Sequence, residues 1–138
     1  MTWLLEDDQP SARYLALTEL LGRAEDDPEV REARARIPET GWAADILAER
    51  NPEGWWADEK SLYLPKYLAT NWQLLMLSDL GLTRDVAPVG ASCELWMRRF
   101  AAKDGGLGGN SGGTPHHCLA GNMARALIRF GYADDSRV

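Results

Sequence analysis

Three groups of residues in this chain carry side chains able to do chemistry. The first is His116-His117-Cys118, with Cys93 on an earlier segment. Imidazoles and thiols are the donors that hold zinc. Neighbouring positions on a helix point about a hundred degrees apart, so His117 and Cys118 chelate poorly together and no metal is expected. Near a helix N-terminus the Cys118 thiolate is favoured, with His117 as a neighbouring base. No third group that would orient the pair can be named. A small buried cysteine on an apolar face, beside solvated histidines, explains the same residues.

The second group is aromatic: Trp55, Trp56, Tyr63, Tyr67 and Trp72, with Asp58 and Lys66 among them. Ligand pockets are largely apolar and aromatic with a few placed polar groups, and this segment has that composition. It is the candidate ligand-binding site. The same rings would equally staple a turn onto neighbouring helices, and Lys66 reads as a solvated residue at a helix start. The third group is the glycine-rich loop Gly105-Gly106-Leu107-Gly108-Gly109-Asn110-Ser111-Gly112-Gly113. It precedes a helix, as anion-binding loops do. It lacks the Lys-Ser/Thr of a phosphate-binding loop and follows no strand. A flexible crossover between helices explains it, and no cofactor is expected.

The elements that must position these groups read as helices throughout. Apolar spacing at three and four residues gives a first helix from near Pro10 to Gly22, presenting Ala16, Leu17, Leu20 and Leu21. A second starts at Asp27-Pro28, with Asp as cap and Pro in the first turn, and shows Val30, Ala33 and Ile37. A third runs from about Gly41 to Arg50, pairing Trp42 with Ile46 and Ala43 with Leu47. The fourth, about Lys66 to Leu80, is apolar on nearly every side between Trp72 and Leu77 except at Gln73, the mark of an interior helix. The fifth carries Val86, Val89, Cys93, Trp96, Met97 and Phe100 on one stripe. The sixth opens at Thr114-Pro115 and runs through Leu119, Met123, Leu127 and Phe130 to Gly131. No segment alternates as a strand does. The fold class is all-α, about six helices in antiparallel pairs.

Three of these helices end alike. Leu21-Gly22, Leu80-Gly81 and Phe130-Gly131 are each followed by Asp and then, seven or eight residues past the glycine, by Val. Glycine allows the left-handed cap and the following Asp caps the next helix, which predicts tight helical hairpins. A second repeated turn, Asn51-Pro52-Glu53-Gly54-Trp55-Trp56 and Ala102-Lys103-Asp104-Gly105-Gly106-Leu107, recurs at about the fifty-residue interval that separates the last two helix-end glycines. The period is that of a helical repeat.

These turns resemble the αα-toroid superfamily with prenyltransferase and squalene-cyclase repeats. The signature there is Gln, two variable residues, an acidic residue, Gly, a variable residue and Trp. Arg50-Asn51-Pro52-Glu53-Gly54-Trp55-Trp56 matches at the acidic residue, Gly and Trp, with Arg50 in place of Gln; the second copy keeps Asp104-Gly105. Tyr63-Leu64-Pro65-Lys66-Tyr67 is similar to the segment before an inner helix in uncharacterised bacterial members. The resemblance implies a partial αα-toroid, an arc of helix pairs. It does not bring the chemistry with it. The Asp-x-Asp-Asp acid of triterpene cyclases is missing, Asp26-Asp27 and Asp134-Asp135 read as helix caps, and the Asp-x-Cys pair of zinc-dependent prenyltransferases is absent at Cys93 and Cys118.

Bulk properties narrow the partners. The 138-residue chain is 45% hydrophobic with net charge −6, one domain able to bury a core unaided. A chain of that charge gains no counterion release on nucleic acid and is repelled by anionic membranes. Neither is an expected partner. The start, Met1-Thr2-Trp3-Leu4-Leu5-Glu6, lacks the basic region of a secretion signal. Two cysteines make no disulfide framework, so a cytoplasmic protein with free thiols is expected. The leading expectation is a helical-repeat domain that binds an apolar or isoprenoid-like small molecule, or a protein partner. An enzyme of the terpenoid-cyclase or transferase kind is the alternative, and a structural oligomerisation module the third. An arc ending at Val138 with an uncovered apolar face is also expected to self-associate or meet a partner chain.

Overall fold

A computed structural model describes residues 2–100, 107 and 117–138. Every regular element among them is helical, and none of them forms a strand. After a 3₁₀ turn at Thr2–Leu5 come α1 (Pro10–Leu15), α2 (Pro28–Arg36), α3 (Trp42–Ala48), α4 (Thr70–Asp79), α5 (Ala87–Phe100) and α6 (His117–Leu127). α1 continues into a π-helical turn at Ala16–Leu20, and α6 into another at Ile128–Tyr132. The expected start of the sixth helix at Thr114-Pro115, and the second turn around Asp104-Gly105, lie outside the described residues. Among the described residues no helix is long and apolar enough to cross a membrane.

The chain divides into two compact units, Met1–Glu49 with Leu80–Leu82, and Arg50–Asp79 with Thr83–Val138. In the first, α1 packs on α2 over Tyr14, Leu17, Val30, Ala33 and Ile37, all buried. Asp27 caps α2 as expected, its Oδ1 accepting the Glu29 N–H at 2.9 Å, and Pro28 takes the first turn. Tyr14 donates its hydroxyl to Glu25 at 2.7 Å. Ala16 and Leu17 are buried, but Leu20 and Leu21 are exposed. The π turn causes this: the Leu21 N–H reaches back to Ala16 O and the Arg23 N–H to Leu17 O, and the wider turn carries the last two leucines out of the stripe. In α3 the helix buries Ala43 and leaves Trp42 58% exposed, so the expected Trp42 face is the solvent side.

In the second unit α4 packs on α5 and on α6. The α5 stripe is the one read from the sequence except at Val86: Val89, Cys93, Trp96, Met97 and Phe100 are buried, while Val86 precedes the helix and is half-buried. So is the α6 stripe of Leu119, Met123, Leu127 and Phe130. Helix α4 departs from expectation twice. It begins at Thr70, not near Lys66, and Met76 is exposed, so it is not apolar-buried all round. Its buried set is mostly polar: Thr70, Asn71, Gln73 and Ser78 lie beside Leu74 and Leu77. The three helix-end glycines, Gly22, Gly81 and Gly131, have φ of 62°, 88° and 99°. Side chains disfavour that region, which accounts for the recurrence of Gly at these ends.

Candidate functional site

The segment from Arg50 to Ala69 contains no regular helix, so its backbone groups need partners from elsewhere. It supplies some of them itself. Asn51 Oδ1 accepts the Glu53 N–H, Asp58 Oδ1 the Lys60 N–H and Ser61 Oγ the Leu64 N–H, at 2.9–3.0 Å. Gly54 sits at φ 114°, and a Cβ there would stand 3.3 Å from both the Arg50 guanidinium and Leu95. That close approach places Arg50, whose Nε donates to Ser92 at 2.7 Å. Burial lowers the Arg50 pKa from its ordinary value.

The first turn of α4 supplies others. Thr70 Oγ1 accepts the Trp56 N–H at 3.0 Å, and the Asn71 N–H donates to Leu62 O at 2.8 Å. Trp72 Nε1 donates to Tyr63 O at 2.9 Å, and Gln73 Nε2 to Tyr67 O at 2.9 Å. The Asn71 side chain also receives Trp96 Nε1 at 3.1 Å, while its own Nδ2 is buried with no partner among the described residues. Gln73 therefore interrupts the apolar run of α4 for a reason. Its buried side chain donates to the carbonyls of Tyr67 and Leu68, the use a buried polar group needs.

This scaffold presents a cleft of about 470 Å³. Leu62, Tyr63 and Phe100 form its apolar wall, and Lys60, Ser61, Arg98 and Arg99 its polar rim. Leu62 and Phe100 are 3% and 7% exposed, so the wall is fixed by the unit's core. Arg99 donates through Nη1 to the Glu59 carbonyl and pairs with the Glu59 carboxylate at 3.7 Å. Among the described residues no carboxylate lies within ion-pair distance of the Lys60 or Arg98 side chain.

The candidate residues separate. Tyr63, Tyr67 and Trp72 come together, the two tyrosine rings 5.3 and 5.1 Å from the Trp72 ring and tilted on it by 47° and 50°. Tyr63 alone of the predicted set lines the cleft. Trp56 is 2% exposed and belongs to the core, and Trp55 is half-buried with its carbonyl bonded to the Asn51 N–H. Tyr67 is 68% exposed at φ 67°, and Lys66 is exposed. Compared with protein-family models, curated proteins and solved structures, the chain matches none.

The thiols also part company. Cys93 is fully buried in α5, where burial pushes its pKa up to about 12; it is not a nucleophile at neutral pH. Cys118 is exposed, contrary to the buried position expected of it. The apolar stripe of α6 runs through Leu119, Met123 and Leu127, and the preceding residue falls about a hundred degrees off it. His117 is exposed beside it, and His116 lies outside the described residues. Among the described residues no three His, Cys, Asp or Glu side chains gather into a metal-holding group.

Sequence reasoning missed Lys60, Ser61, Arg98 and Arg99. The Arg98-Arg99 pair at the end of a helix in an acidic chain was the available signal. Its usual explanation, cations complementing a helix C-terminus, concealed it, and nothing in the spacing ties it to Lys60.

Proposed function

We propose that the chain is a helical-repeat domain of the αα-toroid kind, with antiparallel helix pairs, whose second unit binds a small molecule with an apolar body. The observation that carries this reading is the cleft of about 470 Å³ walled by Leu62, Tyr63 and Phe100. Its volume falls in the range of small-ligand sites, roughly 300–1,000 Å³. The bonds from Asn71 and Trp72 to the carbonyls of Leu62 and Tyr63 hold the wall in place before a ligand arrives, which lowers the ordering cost of binding. An isoprenoid-like chain is one suitable body. The glycine-ended helices at left-handed φ support the repeat. The free thiols, one buried and one exposed, fit a reducing, cytoplasmic setting.

Thermal unfolding in the presence of fatty acids, terpenes and isoprenoid alcohols tests the reading. A true ligand at a hundredfold excess over its Kd stabilises the fold by about 2.7 kcal/mol, and Tyr63→Ala should reduce that gain. An unmoved melt across the whole panel would end the small-molecule reading.

A different observation favours association. In the first unit the large apolar side chains of Trp3, Leu20 and Trp42 are 68%, 62% and 58% exposed, and association would withdraw that apolar surface from water. We infer that the chain self-associates or meets a partner chain through them. Light scattering over a wide concentration range should show mass rising above that of one chain, and Trp42→Ser should reduce the rise. A strict monomer at every concentration overturns self-association.

A further inference from the structure

We infer that the molecule taken by the cleft is a single-tailed amphiphile with an oxyanion head, a carboxylate or a monophosphate: Lys60 and Arg98 receive the head, and the Tyr63 ring, backed by the buried Leu62 and Phe100, the tail. The inference rests on the reading of the cleft as a ligand site. It adds the ligand's charge and orientation.

Three cations and no carboxylate stand among the cleft's lining residues, in a chain of net charge −6. Arg99 is already matched by Glu59. Glu94, one turn before Arg98 on α5, is gripped by both terminal nitrogens of Arg137 at 2.9 and 3.0 Å. The Arg98 charge also draws weakly on Glu94, but neither Lys60 nor Arg98 has an ion-pair partner among the described residues. A preference of helix ends for basic residues covers Arg98 and Arg99. It does not cover Lys60, which sits on a loop segment pinned by Asp58 and Ser61 on the same rim. The Ser61 hydroxyl adds a polar group to that rim. Cations on the rim and apolar side chains on the wall match a molecule with one charged end and one apolar end, and hydrogen bonds to a charged group are the stronger kind.

The test uses the full chain and four probes: dodecanoate and dodecyl phosphate below their micelle-forming concentrations, dodecanol, and inorganic phosphate. Affinity is read by tryptophan fluorescence and calorimetry. The two anionic amphiphiles should bind on the order of tenfold or more tighter than dodecanol, and the difference should shrink in high salt. Lys60→Gln with Arg98→Gln should remove most of it and weaken dodecanol binding far less. Both residues lie at the surface, so the variant's melting curve verifies its fold. Lys66→Gln, an exposed cation on the same loop but outside the cleft lining, should change nothing. Dodecanol binding as tightly as the anions overturns the inference and leaves the apolar site standing. Equal losses in Lys66→Gln reduce it to unspecific attraction and overturn the assigned site. Inorganic phosphate binding as well as dodecyl phosphate overturns the tail. Binding by none of the four overturns the site and the inference together.

Discussion

In the first unit 5 Lys and Arg stand against 12 Asp and Glu, net −7; in the second 10 stand against 9, net +1. The two also differ in how backbone groups find partners. In the first, α2 starts on a side-chain cap from Asp27 with Pro in its first turn. In the second, the non-helical stretch before Thr70 depends on Thr70, Asn71, Trp72 and Gln73 for its partners. The whole-chain charge is therefore an average over two unlike bodies, and it hides the cations of the cleft. The buried polar residues of α4 carry a second lesson. They make the buried face of α4 more polar than those of α5 and α6 because Thr70, Asn71 and Gln73 hold the loop that forms the cleft.

The largest contrast is expected between two tryptophans. Trp96 is fully buried, stacks on Phe100 with ring centroids 4.7 Å apart, and donates to Asn71. Trp96→Ala should destabilise the fold by about 3–5 kcal/mol, whereas Trp3→Ala, at 68% exposure, should stay within about 0.5 kcal/mol. Urea unfolding of the pair measures this, and equal effects would deny the second unit its core. Next comes the loop. Thr70→Val keeps the shape and removes the Thr70 Oγ1 acceptor of the Trp56 N–H, at a cost of about 0.5–1.5 kcal/mol. In the first unit Asp27→Ala removes an exposed cap and should cost about 1 kcal/mol. The loop variant should also loosen hydrogen exchange across residues 56–69, and the cap variant should act only on α2. Exchange confined to α4 in the Thr70 variant would show that the loop does not depend on it.

The regular half of the fold was legible because it follows local rules. The stripes of α5 and α6, the Asp27 cap and the three helix-end glycines each need only a few neighbouring residues to be read. The leucines at 20 and 21 were misplaced because a π turn has no signature in apolar spacing. Cys118 was misplaced by a single residue, enough to rotate it off its stripe. The site was the least legible part. Trp56, Tyr63 and Trp72 stood out by type, yet their roles differ: Trp56 is core, Trp72 pins a carbonyl, and Tyr63 alone lines the cleft. Lys60 and Arg98 meet across 38 positions of sequence, through a loop whose course is set by side-chain bonds from α4. Neither propensity nor periodicity encodes such a meeting.

The smallest expected effect concerns acid. In the second unit the Arg137 guanidinium beside Glu94 holds that carboxyl below its usual range, and Arg125 does the same for Asp79. A carboxylate whose folded pKa is depressed contributes stability that is fully present above its unfolded value and is lost as pH falls through the folded one. The melting temperature should therefore fall as pH drops below about 4.5, the region where free Glu titrates. Glu94→Gln takes that group out of the titration, so the variant should start lower at neutral pH and fall less steeply in acid. Both carboxylates are more than a third exposed, 39% for Glu94 and 50% for Asp79, so water and salt screen the pairs and the change should be modest. High salt should bring the two acid profiles together, because screening removes the attraction that separates them. Profiles that stay parallel at low salt would mean that the Arg137 pairing contributes nothing to the folded state in solution.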